Sequence, residues 1–114
     1  MTRVYVPLTL DALGAAHAED AVVATDDVVV AADDSEDEEY AALMTAADVS
    51  AALAGPTGRR VVLVAELDRV PEAGDRIPRK RWVAVHADAT DRGPDADPDD
   101  DLGWFGVQEI AQLL

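Results

Sequence analysis

Arg60-Val61-Val62-Leu63-Val64-Ala65-Glu66-Leu67 is the stretch that decides the fold. Its apolar residues follow one another without alternation. A half-buried strand alternates apolar and polar positions, so an unbroken run predicts a strand covered on both faces, central in its sheet and flanked by helices. The rest of the chain is arranged around this strand.

Upstream, Arg3-Val4-Tyr5-Val6-Pro7-Leu8 alternates well enough for a strand over 3–8, with Pro7 at an edge or at the strand's end because it cannot donate to a ladder. Thr9 or Asp11 then caps a helix over 10–20, where Leu10, Leu13, Ala16 and His17 follow helical spacing. Val22-Val23 predicts a short strand, and Val28-Val29-Val30 reads equally as strand or loop. A second helix spans 36–54, because Ser35 precedes four acids that suit the positive end of a helix dipole, and Gly55-Pro56 stops it. Tyr40, Leu43, Met44, Ala47 and Ala51 form its expected buried face.

Downstream, residues 68–81 form a turn-rich loop that becomes basic at Arg76, Arg79, Lys80 and Arg81. Trp82-Val83-Ala84-Val85-His86-Ala87 predicts the next strand, and the segment 102–114 reads as a short strand over 103–107 followed by a helical turn. The resulting expectation is one α/β (or α+β) domain over residues 1–114. It is a two- or three-layer sandwich of a mixed four- to five-stranded sheet and two main helices.

Only five residues are aromatic, so Tyr5, Tyr40, Trp82, Trp104 and Phe105 are the expected large anchors of a core made otherwise of Ala and Val. Trp104 and Phe105, adjacent on a strand, must point to opposite faces, so one of them is free to be exposed.

The formal charge is −15, and it is unevenly placed. Residues 26–39 carry eight acids and no base, residues 88–101 carry seven acids and Arg92, and the remainder is almost balanced. One Lys against eight Arg, and no Asn, matches the codon bias of a GC-rich genome. The field of such a chain repels nucleic-acid backbones and anionic membranes, which excludes both as expected partners. It leaves a basic protein partner, or self-association through the basic loop. There is no cysteine, hence no disulfide and no thiolate metal site. No signal segment and no span of about 20 apolar residues is visible, so the expected location is the cytoplasm. No cofactor is expected.

Four patches resemble one family. The opening Arg3-Val4-Tyr5-Val6-Pro7-Leu8-Thr9, the close Trp104-Phe105-Gly106-Val107-Gln108-Glu109-Ile110, and the internal Glu39-Tyr40-Ala41-Ala42-Leu43 and Val83-Ala84-Val85-His86 are similar to a group of short uncharacterised actinobacterial proteins. The resemblance implies no activity and carries no functional residue.

The basic run Arg76, Arg79, Lys80 and Arg81 can cradle a phosphate or carboxylate, although it is expected rather to offset the acidic runs, within the molecule or across to a neighbour. Acidic groups supply the other candidates for chemistry, in two constellations. Glu66 and Asp68 end one strand, and His86 and Asp88 end the next. If the strands are parallel, all four groups share the carboxyl edge of the sheet and His86 can act as a general base. If they form a hairpin, the pairs lie at opposite ends, and the absence of a helical pattern in 68–81 favours the hairpin. Asp88 alone, at a strand's end, invites comparison with a phosphoryl-accepting aspartate, but Thr90 stands where a second acid is needed. The second constellation is Asp95, Asp97, Asp99 and Asp101, which match positions 1, 3, 5 and 7 of a calcium loop. Asp100 replaces the required Gly and Gly106 the bidentate Glu, so a solvated acidic loop is the expectation. Taken together, the sequence favours a non-catalytic interaction or regulatory module over a small enzyme or ligand-binding module at the strand ends.

Overall fold

A computed structural model describes all 114 residues. The chain runs β1 (Thr2–Leu8), α1 (Leu10–Glu19), β2 (Ala21–Val23), β3 (Val29–Val30), α2 (Glu36–Ala54), β4 (Val61–Leu67), β5 (Arg76–Pro78), a 3-10 turn (Arg79–Arg81), β6 (Trp82–Ala87), β7 (Gly103–Phe105), a second 3-10 turn (Val107–Glu109) and α3 (Ile110–Leu113). Five strands form the main sheet in the order β3-β1-β4-β6-β7, and β2 pairs with β5 in a separate two-stranded ladder.

β4 is the central strand, and both of its faces are buried. Val61, Leu63 and Ala65 enter a core shared with Leu13 and Ala16 of α1, Val22 of β2, Ile77 of β5, and Ile110 and Leu113 of α3. Val62 and Val64 enter a smaller core with Tyr5 and with Ala42, Ala46 and Ala47 of α2. The molecule is therefore a three-layer sandwich. The α/β class and the five-strand sheet follow the sequence reading, with one correction: every pairing is antiparallel, not mixed. An apolar run covered on both faces does not require parallel neighbours. Here α2 covers one face, while α1, α3 and the β2–β5 ladder cover the other.

Helix capping follows local chemistry. Thr9 accepts from the Ala12 N–H, and Ser35 accepts from the Glu38 N–H, each satisfying a donor that the first turn leaves free. Asp20 closes α1 in a left-handed conformation (φ 57°), which the short polar side chain tolerates. The buried face of α2 differs from the periodicity reading. Ala42, Ala46, Ala47 and Ser50 are its buried residues, whereas Tyr40 is half-exposed and donates to Asp101 at 2.8 Å. Small side chains bring the helix axis close to the sheet and leave the larger Tyr40 at the margin.

Ser50 closes the end of the β1–β4 ladder. Leu8 and Val61 are register partners, but Ser50 Oγ sits between them, donating to the Leu8 carbonyl at 2.6 Å and accepting from the Val61 N–H at 2.7 Å. Ser50→Ala leaves both backbone groups to pair directly or stay unsatisfied, and is expected to cost about 1–3 kcal/mol in chemical denaturation. A cost below roughly 0.5 kcal/mol would show that the ladder closes without the hydroxyl.

A bulge sets the register of β6. Val64 pairs with Ala84, but Ala65 pairs with Trp82, so Val83 is the extra residue. One inserted residue flips every side chain beyond it. Trp82 therefore joins the α1-side core, while Ala84 stays on the α2 side. Of the adjacent pair on β7, Trp104 is exposed at 62 % and Phe105 packs on the α1-side core. No helix is long and apolar enough to cross a membrane.

Candidate functional site

The antiparallel pairing of β4 and β6 separates the four strand-end candidates. His86 lies opposite Val62, and Glu66 is four residues further along β4, roughly 13 Å away at strand rise. Glu66 instead accepts from Arg3 at 2.7 Å, and Asp68 accepts from Arg81 at 3.3 Å. His86 faces a shallow groove of about 240 Å³ with Arg3, Tyr5, Glu39 and Tyr40. Burial holds its pKa below the usual histidine value, and it makes no side-chain hydrogen bond that would orient the ring for proton transfer. The shared carboxyl edge that a general base required does not form.

Asp88 has a different task. The register that pairs Val61 with Ala87 puts Arg60 beside Asp88, and the two are joined by three hydrogen bonds. Oδ2 accepts from the Arg60 backbone N–H at 2.8 Å and from Nε at 2.9 Å, and Oδ1 accepts from Nη2 at 2.8 Å. Arg60 is 1 % exposed. Burial by itself would raise the Asp88 carboxyl, but the hydrogen bonds from Arg60, together with the charges of Arg60 and Arg92, hold it below the usual aspartate value. The reciprocal hydrogen bond raises Arg60 against its own burial. Both Asp88 oxygens are thus engaged by Arg60.

This knot organises the acidic loop after β6. Arg60 also donates to the Pro98 carbonyl at 3.3 Å, Arg92 donates to the Asp97 carbonyl at 3.0 Å, and the Arg92 N–H reaches the Thr57 carbonyl at 3.0 Å. Asp97 accepts from the Asp99 N–H at 2.9 Å. The loop has no regular secondary structure but is tied down at several points. Asp95, Asp97, Asp99 and Asp101 do not converge, because no three carboxylate or imidazole groups of the chain lie close enough to hold a metal ion. Beneath the loop lies a cleft of about 440 Å³ bordered by Asp91, Asp100 and Asp101, with Arg60, Asp88 and Arg92 at its floor.

A second cleft, of about 400 Å³, opens at the other end of β4. Arg69, Arg76, Lys80 and Arg81 line it, against Asp68 and Asp75. Arg81 pairs with Asp68 at 3.3 Å and Arg69 with Asp75 at 3.7 Å. The backbone that carries these groups is fixed by β5, which pairs with β2 although the turn-rich composition of 68–81 predicts a loop. It is fixed also by Arg79, which bonds Asp20 at 2.7 Å and the His17 carbonyl at 2.8 Å. The cluster at 76–81 was visible in the sequence, whereas Arg69 and the concave shape were not.

Fold and clefts together define a small three-layer domain with an antiparallel sheet and oppositely charged hollows at the two ends of its central strand. The chain belongs to a family of unknown function, DUF6912, whose profile matches residues 2–114. No curated protein and no solved structure matches it.

Proposed function

We propose that the chain is a non-catalytic interaction module that presents its 88–101 loop to a basic protein partner. The observation that carries this reading is the Arg60–Asp88–Arg92 knot, which anchors the loop from below and leaves Asp91, Asp100 and Asp101 around a cleft of about 440 Å³. An anchored acidic surface loses less entropy on binding than a free loop, so more of its electrostatic attraction appears as affinity. The cleft is wide enough for a lysine or arginine side chain, and a guanidinium can engage two carboxylates at once. The exposed carboxylates steer a basic partner toward it.

Titration with an arginine-rich peptide tests this. Binding is expected to weaken steeply between low salt and about 0.2 M salt, where the screening length falls below about 10 Å. Asp91→Asn with Asp100→Asn and Asp101→Asn is expected to weaken it by roughly tenfold or more, about 1.4 kcal/mol. Asp26→Asn with Asp27→Asn, which removes two charges from the other acidic segment, should leave it nearly unchanged. Salt-insensitive binding, or equal losses in the two variants, would overturn the assignment.

A further inference from the structure

The chain has 24 acids and 9 bases, so carboxylates are available to every cation. Seven of the nine, Arg3, Arg59, Arg60, Arg69, Arg79, Arg81 and Arg92, have one within 4.0 Å. The two without an ion-pair partner are Arg76 and Lys80, and both line the same cleft. Arg76 donates to the Glu19 carbonyl at 3.3 Å but meets no carboxylate, and in so acidic a molecule two cations without a counter-charge on one cleft mark a place where the fold keeps positive charge unneutralised. We propose that this cleft, between Leu67 and Arg81, binds a small phosphate-bearing anion.

Charge, stiffness and size agree on that ligand class. Arg69, Arg76, Lys80 and Arg81 against Asp68 and Asp75 leave two net positive charges, which match the dianionic form of a phosphate group. The Arg81–Asp68 and Arg69–Asp75 pairs are long and solvent-exposed, so each is weak and can yield its guanidinium to a better acceptor. An arginine fork offers a phosphate two parallel donors, and Lys80 adds a compact point charge.

The scaffold is set before any ligand arrives. Ile77 is 1 % exposed, its carbonyl accepts from Trp82 Nε1 at 3.2 Å, and Pro71 and Pro78 restrict the backbone at the cleft wall. Its volume of about 400 Å³ suits a small molecule. A long polyanion is disfavoured, because the neighbouring groove beyond Glu66 is lined by Asp33, Asp34 and Glu39.

Isothermal titration of the full chain with inorganic phosphate and with glycerol phosphate, near pH 8 and at fixed ionic strength, tests the proposal. Saturable one-to-one binding is expected. Arg76→Gln or Lys80→Gln should each weaken it roughly tenfold, and the double variant should abolish it. Arg3→Ala, which removes a cation outside the cleft, should not. Tighter binding of the ester identifies a phosphorylated small molecule as the ligand, and equal binding identifies free phosphate. Both variants alter exposed side chains, and circular dichroism verifies that they fold. The proposal is overturned by an absence of saturation up to about 50 mM, well beyond the millimolar range. It is equally overturned by undiminished binding in the double variant. Concentration-dependent self-association that the double variant abolishes, without phosphate binding, would assign the cleft to the acidic loop of a second copy instead.

Discussion

Arg60→Ala is expected to lower the unfolding free energy by about 3–5 kcal/mol in urea titration, the usual cost of removing one partner of a buried ion pair. The magnitude follows from what is left behind. Asp88, whose side chain is 12 % exposed in the intact fold, would keep its backbone donor from residue 60 but lose the Nε and Nη2 bonds at 2.9 and 2.8 Å. Arg92, 3.7 Å away, compensates in part, which places the expected value at the lower end of that range. The Pro98 carbonyl also loses its donor, so amide exchange across 89–101 should accelerate. Acid supplies an independent check. Because Asp88 titrates below its usual value in the folded chain, its contribution is fully present above the ordinary carboxylate pKa, near 4, and is lost as pH falls through the lowered folded value. Wild-type stability should therefore decline below about pH 4 more steeply than that of Arg60→Ala. A loss under about 1 kcal/mol, with unchanged acid dependence, would show that the knot is incidental.

The elements that sequence made legible are those whose information is local. β4 was readable because burial on both faces needs an unbroken apolar run, and its residues do alternate between the two cores. α2 was readable because Ser35 and Gly55 mark its ends. What escaped depends on pairing. The loop 68–81 permits either strand direction, so the antiparallel arrangement, and with it the dispersal of Glu66, Asp68, His86 and Asp88, required the three-dimensional register. Arg60 read as a strand boundary. Only the Val61–Ala87 pairing turns it into the partner of Asp88, and a hairpin by itself fixes the strand direction but not that register. β5 was hidden because it has three residues and ends in Pro78. Tyr40 was misplaced because helical periodicity identifies a stripe but not its centre. The alanines beside it, able to approach the sheet more closely, set the rotation of the helix.

Trp82→Ala is the second large effect, expected at about 3–5 kcal/mol for loss of a buried aromatic side chain. Trp82 is 5 % exposed, its indole N–H bonds the Ile77 carbonyl, and the Arg79 guanidinium lies 4.7 Å from its ring centroid. The ring thus joins the main core to the strand that carries the basic cleft. Trp82→Phe retains most of the apolar contact but leaves the Ile77 carbonyl without its donor, and should cost less, about 1–3 kcal/mol. The same variant isolates Trp104, which is exposed, so its emission should be red-shifted and readily quenched by acrylamide. Trp104→Phe leaves the buried Trp82 and should show a blue-shifted, protected emission with little loss of stability. The bulge makes the location of Trp82 a matter of register as much as of hydrophobicity. Deleting Val83 would make Trp82 follow Ala84 directly, so that it pairs with Ala65 in regular alternation and its ring stays on the α1-side core. That deletion removes only the exposed bulge residue and should therefore destabilise the chain less than Trp82→Ala. A deletion variant as unstable as Trp82→Ala, with a red-shifted and readily quenched Trp82, would mean that the extra residue itself is needed to seat the ring.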